Sequence, residues 1–131
     1  MTEPDWLSED VVIAIHDEQI AIHGGGAGLR DPGMLASALE RPVNKWSYEN
    51  SDLAELASAY AFGLAKNHPF VDGNKRTALL ALYTFLYING IDFIVAEADA
   101  AAAILALAAG EVEEEGLTRW IRDNWPKDAP A

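Results

Sequence analysis

Three features of the sequence predict an all-α fold, a compact single-domain bundle of about six helices over residues 1–131. The 131 residues are 50% hydrophobic and 23% charged, which suits one domain that buries roughly two-thirds of its unfolded surface. Apolar residues recur at helical spacing between capping side chains and glycine or proline stops. The chain contains no internal repeat, linker or second domain.

The elements follow in order. Ser8 caps a helix over about 9–23, with Glu9 and Asp10 in its first turn, Val12 and Ile15 on its apolar side and Gly24-Gly25-Gly26 as its stop. Asp31-Pro32 starts a short second helix carrying Leu35, Ala38 and Leu39, which Pro42 ends. The stretch from Arg41 to Asn50 then reads as a loop or hairpin. Ser51 caps a third helix that stops near Asn67, because the residue before Pro69 disfavours the helical basin. From Asn74 to Asn89 apolar residues occupy nearly every face, which predicts the buried central helix. After Ile91 to Val95, a brief extended piece, an alanine-rich helix spans about 97–109. A last helix starts within the acidic run Glu111 to Glu115 and carries Leu117, Trp120 and Ile121 to Pro126.

Composition excludes several functions. The chain has no cysteine, so a disulfide framework, a thiolate zinc site and a cysteine nucleophile are ruled out, and a reducing compartment, the cytoplasm, is expected. The acidic start Met1-Thr2-Glu3-Pro4-Asp5 lacks the features of a secretory signal. The longest mostly apolar stretches, 78–88 and 100–109, fall far short of the roughly 20 residues that cross a bilayer. Nine basic against twenty-one acidic residues give a net charge of −12, which argues against direct binding to nucleic acid or an anionic membrane. Lys66, Lys75 and Arg76 nevertheless cluster in a window whose only acid is Asp72. That window runs against the global charge and suits an anion.

The chemistry concentrates in His68-Pro69-Phe70-Val71-Asp72-Gly73-Asn74-Lys75-Arg76-Thr77. A loop entering a helix at Gly73-Asn74 aims free N–H groups and the positive end of the helix dipole at one point, which favours phosphate. Lys75 and Arg76 add charged donors, and Asn74 either caps the helix or bonds an oxygen. A carboxylate beside such a cradle, here Asp72, is suited to holding magnesium against phosphate oxygens. His68 supplies a base near neutral pH. Taken singly these residues have bland explanations as helix caps or a solvated pair, and Phe70 is an apolar anchor in any account. A capping loop has no need of all of them together. Lys66 is either a solvated helix-end lysine or a further phosphate contact. His16 and His23 share a helical face but lack any zinc motif, so His16 is expected as a packed, hydrogen-bonded side chain. Gly-x-Gly at 24–28 lacks the rest of a dinucleotide fingerprint and reads as a loop.

Residues 68–76 resemble the signature of the Fic/Doc family, His-Pro-Phe-x-Asp/Glu-Gly-Asn-Gly/Lys-Arg. Ile15-His16-Asp17, Asp31-Pro32-Gly33, Thr77-Ala78-Leu79 and Asn89-Gly90 further resemble its death-on-curing branch, toxins of bacterial toxin–antitoxin modules. The resemblance covers about residues 11–125. It implies a Fic fold with His68 as general base, Asp72 as magnesium ligand, and Asn74 and Arg76 as phosphate contacts alongside Gly73 and Lys75. It also implies that Arg41 to Asn50 forms the flap that aligns a target segment by strand addition.

Lys75 and Leu79 stand where nucleotide-transferring members carry glycine and a second arginine, which favours the death-on-curing branch. That branch implies a Mg2+- and ATP-dependent protein kinase acting on a hydroxyl of elongation factor Tu. AMP transfer and a noncatalytic binding module are the rival functions. A cis-inhibitory Ser/Thr-x-x-x-Glu-Gly/Asn helix is missing, since Ser51 to Glu55 is followed by Leu56. The resemblance therefore implies restraint by a separate antitoxin protein.

Overall fold

Ser8 and Asp31 cap helices as their positions predict. In the computed structural model, which describes residues 2–130, the Ser8 hydroxyl accepts from the Val11 N–H and opens α1 (Glu9–His23). The Asp31 carboxylate accepts from the Met34 N–H and opens α2 (Pro32–Glu49). Four more helices follow: α3 (Leu53–Asn67), α4 (Asn74–Ile88), α5 (Glu97–Ala108) and α6 (Glu114–Asp123). Met1 and Ala131, the ends of the expected domain, lie outside the described residues. Among the described residues, extended pairing is confined to one isolated antiparallel bridge between Leu29 and Phe70. The fold is all-α, and none of these helices is long and apolar enough to cross a membrane.

Two expectations about α2 and α3 are corrected. No loop, hairpin or flap forms over Arg41 to Asn50, because α2 runs through Pro42 to Glu49. Leu35, Ala38, Leu39, Pro42, Val43 and Trp46 continue one stripe at spacings of three and one, and the stripe packs on α3. Arg41 and Lys45 then fasten the second half of α2 to the buried carboxylate of Glu114 on α6, the lysine at 3.2 Å. Asp52 rather than Ser51 caps α3. Its side chain accepts from the Glu55 N–H at 2.9 Å while the Glu55 carboxylate accepts from the Asp52 N–H at 3.1 Å, a reciprocal capping box. Ser51 is buried and its hydroxyl donates to the Lys45 carbonyl instead.

The central helix is α3, not α4. Ala54, Ala57, Ala59, Ala61 and Ala65 alternate along α3 with Leu56, Tyr60 and Leu64, all buried, and small residues let α2, α4, α5 and α6 approach it from several sides. Its Tyr60 hydroxyl accepts from the Leu7 N–H at 3.0 Å, and burial pushes the phenol pKa up to about 12. By contrast α4 leaves Tyr87 and Ile88 exposed and Leu79, Leu80 and Tyr83 half-buried. The extended piece expected over residues 91–95 has no strand partner, and it buries Ile91 and Phe93, with Trp120 of α6 packed edge-on against Phe93 at 5.6 Å.

Pro42 lacks the N–H that would bond the Ala38 carbonyl. That carbonyl lies where α2 meets α3 at Gly63: a side chain there would place its Cβ 3.1 Å from the Ala38 Cα and 3.3 Å from the Ala38 oxygen. The missing side chain at 63 is what lets the two helices close on this point. Gly63→Ala is therefore expected to lose about 2 kcal/mol of stability through overpacking, measured by chemical denaturation, despite the higher helix propensity of alanine.

Candidate active site

The chain leaves α3 through His68, which adopts the left-handed conformation (φ 49, ψ 55) at the C-cap, and re-enters helix at Gly73, also left-handed (φ 75). For a non-glycine residue that geometry costs about 1 kcal/mol or more and must be held by its surroundings. The expected anchor is in place: Phe70 is 2% exposed. Its ring stacks on the buried His16 imidazole with centroids 3.9 Å apart and planes within 7°. Asn74 locks the loop above it. Its side-chain oxygen accepts from the Phe70 N–H and its amide donates to the Phe70 carbonyl, both at 3.0 Å.

The same amide nitrogen lies 3.5 Å from His68 Nδ1, the outer limit of a hydrogen bond. If Asn74 donates there, the neutral ring carries its hydrogen on Nε2; taking up a proton at Nε2 requires the other tautomer, which breaks only this long contact. Asn74 is therefore one residue shared by the His68 imidazole and the start of α4. Its side chain does not cap α4, which has no side-chain cap at all. The first N–H groups of α4 thus remain free for a ligand. Lys75 and Arg76 beside them are exposed.

Asp72 is exposed at this helix start. Its carboxylate accepts from the Gly73 N–H at 2.8 Å and the Gly26 N–H at 3.4 Å. These two bonds, chiefly the first, hold its carboxyl below the ordinary value, with a smaller pull from Arg76 and His16. Below the Asp72 backbone, His16 Nε2 lies 2.7 Å from the Asp72 carbonyl and must be the donor, since a carbonyl only accepts. His16 is thus the packed, hydrogen-bonded histidine that the sequence suggests.

Asp72, Gly73, Lys75 and Arg76 form the polar end of a cleft of about 860 Å³ between α1, α4 and α5, whose other end is apolar through Leu79, Leu80, Ile94 and Leu105. His23 also lines it. Lys66 does not join this group: its ammonium points toward Gly110 at the end of α5 and lies 6.0 Å from the Phe62 ring. A smaller groove of about 370 Å³ between α2 and α3 holds Arg41, Lys45 and Phe62 and none of the constellation except its neighbour Asn67. Among the described residues no three acids or histidines cluster as a metal cage. A divalent cation at Asp72 would complete its shell from water and phosphate oxygens, as magnesium commonly does.

The loop over residues 24–31, which sequence reasoning left without a function, is fastened to the motif. The Arg30 and Asp31 N–H groups both donate to the Pro69 carbonyl, at 2.7 and 3.0 Å, and the Val71 N–H donates to the Gly28 carbonyl at 3.0 Å. Arg30 adds its side chain, Nε to the His68 carbonyl at 2.7 Å and Nη2 to the Asn67 carbonyl at 3.0 Å. Gly25 (φ 117) is required here, since a Cβ would fall 2.6 Å from the Asp72 carboxylate. The available signal was a lone arginine between a glycine run and the Asp31-Pro32 cap, which carries no spacing rule.

A model of the Fic/DOC family matches residues 6–86, a span that holds the whole constellation and the loop latched to it. The chain belongs to the Fic/DOC family. Relatives within this Fic/DOC assignment include "Protein kinase doc" of Escherichia phage P1, 32% identical over 117 residues that cover 88% of this chain and 92% of that protein. "Toxin Doc" of Mycolicibacterium smegmatis is 44% identical over 72 residues, 52% of this chain and 54% of that protein.

The Fic/DOC signature loop depends on Asn74 for its shape. Asn74→Ala strips both partners from the buried Phe70 backbone and is expected to cost about 2 kcal/mol. Faster hydrogen exchange at the Phe70 amide, relative to amides of α3, checks that the loss is local.

Proposed function

We propose that this Fic/DOC chain is the toxin of a toxin–antitoxin module, a protein kinase that passes the γ-phosphate of ATP to a hydroxyl of a translation factor, elongation factor Tu being the candidate. The observation that carries this reading is the uncapped start of α4, flanked by Lys75 and Arg76 and set beside the exposed Asp72 carboxylate at the polar end of the cleft. The names of the phage P1 and M. smegmatis relatives support kinase and toxin respectively.

In this mechanism the free N–H groups at Asn74 and Lys75, with the Lys75 and Arg76 side chains, hold the triphosphate and offset the charge that spreads over it during transfer, while the Gly73 N–H stays bonded to the Asp72 carboxylate. Asn74 contributes its backbone, its side chain being committed to Phe70 and His68. The exposed Asp72 carboxylate would hold magnesium, which would supply positive charge against that of the phosphates. His68 takes the proton of the attacking hydroxyl as its oxygen bonds to the γ-phosphorus and the bond to the β–γ bridging oxygen breaks, releasing ADP. Lys66 has no contact role in this arrangement.

The apolar flank of the cleft, with Ile94 76% and Leu105 52% exposed, fits a helix of a separate antitoxin that orders on binding. The charge of −12 favours a basic or mixed-charge segment. The site lies within a single cytoplasmic domain in this reading.

Incubation with purified translation factors and ATP labelled on the γ-phosphate or on the adenine tests the reaction. Transfer of the phosphate label alone supports the kinase; transfer of the adenine label overturns it in favour of AMP transfer. His68→Ala is expected to fold normally and to slow transfer by roughly a hundredfold; unchanged transfer would remove His68 from the mechanism. Asp72→Asn should raise the magnesium concentration needed for half-maximal rate, and coincident titrations of variant and parent would reduce Asp72 to a turn residue.

A further inference from the structure

The Arg30 side chain serves neither the core nor the cleft. It is exposed, yet both of its bonds go to the last two carbonyls before Pro69, those of Asn67 and His68. We propose that Arg30 is a positioning residue for His68: its planar fork grips the two carbonyls and keeps His68 in the left-handed conformation that stations the imidazole beside Asn74. The inference rests on the reading of His68 as the base.

The argument begins with the backbone. A residue with a Cβ resists φ 49, and a following proline biases it toward extended geometry. His68 therefore has a competing conformation that points its ring elsewhere. The C-terminal carbonyls of α3 lack partners within the helix, and a guanidinium at that end meets both the open acceptors and the negative end of the dipole. Asn67 is held a second way, its side-chain amide donating to the Met34 carbonyl at 3.0 Å. For the His68 carbonyl, by contrast, the bond from Arg30 Nε at 2.7 Å is the restraint that the structure provides. Lysine has one ammonium and no fork, so it cannot reproduce both bonds in one plane.

The division of labour in the loop makes this separable from folding. The main-chain bonds from Arg30 and Asp31 to Pro69, and from Val71 to Gly28, do not involve the side chain and survive its removal. The phosphate end of the cleft does not contain Arg30. Its loss should then alter where the base sits without altering nucleotide binding or the fold.

The test uses Arg30→Ala and Arg30→Lys in the full chain. Isotope-labelled protein reports the His68 conformation through its Cα and Cβ shifts and the coupling between its amide and α protons. Arg30→Ala is expected to move these from left-handed toward extended values, with Arg30→Lys intermediate and the shifts of α3 and the melting temperature little changed. In the labelled-ATP assay Arg30→Ala should lower kcat roughly ten- to a hundredfold with the KM for ATP unchanged, and should cost nothing further in a His68→Ala background. Unchanged His68 shifts in Arg30→Ala overturn the proposal, as does a loss that persists in the His68→Ala background. Should Arg30→Ala fail to fold, Arg30→Lys alone decides by the same shifts. A parent protein that transfers no label defeats the kinase reading, and the His68 shifts then still decide the role of Arg30.

Discussion

Phe70 enters the core flat against His16, and Asn74 closes both of its backbone groups with one side-chain amide. A buried peptide group left unpaired costs about 1–3 kcal/mol, so this double bond is what allows an irregular loop to be sunk between α3 and α4. Everything chemical hangs from it. Because Phe70 is pinned beside the buried Pro69, His68 turns outward on one side, while Asp72 and Gly73 turn into the start of α4 on the other. Asn74 is the hinge between them, touching the imidazole and contributing the first residue of the helix whose N-terminus stays open.

A second layer holds the loop from outside its own sequence. His16 of α1 bonds the Asp72 carbonyl from below, and residues 24–31 clamp Pro69, Val71 and the end of α3 from the side. The loop is thus positioned by elements on both sides, which keeps left-handed residues such as His68 and Gly73 in place against their intrinsic preferences. Electrostatics is arranged locally within an acidic molecule. Lys75 and Arg76 stay exposed at the cleft, while Arg41 and Lys45 are spent on Glu114 and Arg122 on Asp52 and Glu55. Lys75 and Arg76 thus keep their charge at the helix start, where the proposed phosphate contacts lie.

Helix boundaries defined by local chemistry were legible from residues alone: Ser8 and Asp31 as caps, Gly73-Asn74 as the entry to α4, Pro69 as the limit of α3. So was the segment from His68 to Arg76 that carries the family resemblance, because its residue types lie in one short contiguous stretch. Misreadings arose where two local rules competed. Pro42 outweighed an unbroken apolar stripe from Leu35 to Trp46, although packing on α3 and the ties to Glu114 keep the helix whole. Ser51, read as the α3 cap from its residue type, yields to Asp52 because Glu55 completes a capping box with Asp52 while the Ser51 hydroxyl donates to the Lys45 carbonyl.

Which helix is central was also beyond local reasoning, since large apolar side chains on nearly every face point to α4, while the alanines of α3 are buried only when four neighbours can approach. The contacts of Arg30, Gly25 and His16 with the motif join residues 38 to 56 positions apart. Residue type and spacing encode caps, periodicity and a contiguous reactive segment. Contacts across such separations depend on how the helices pack, and so the tertiary structure alone decided what bonds the His68 carbonyl, where Lys66 points and which side of α4 opens into the cleft.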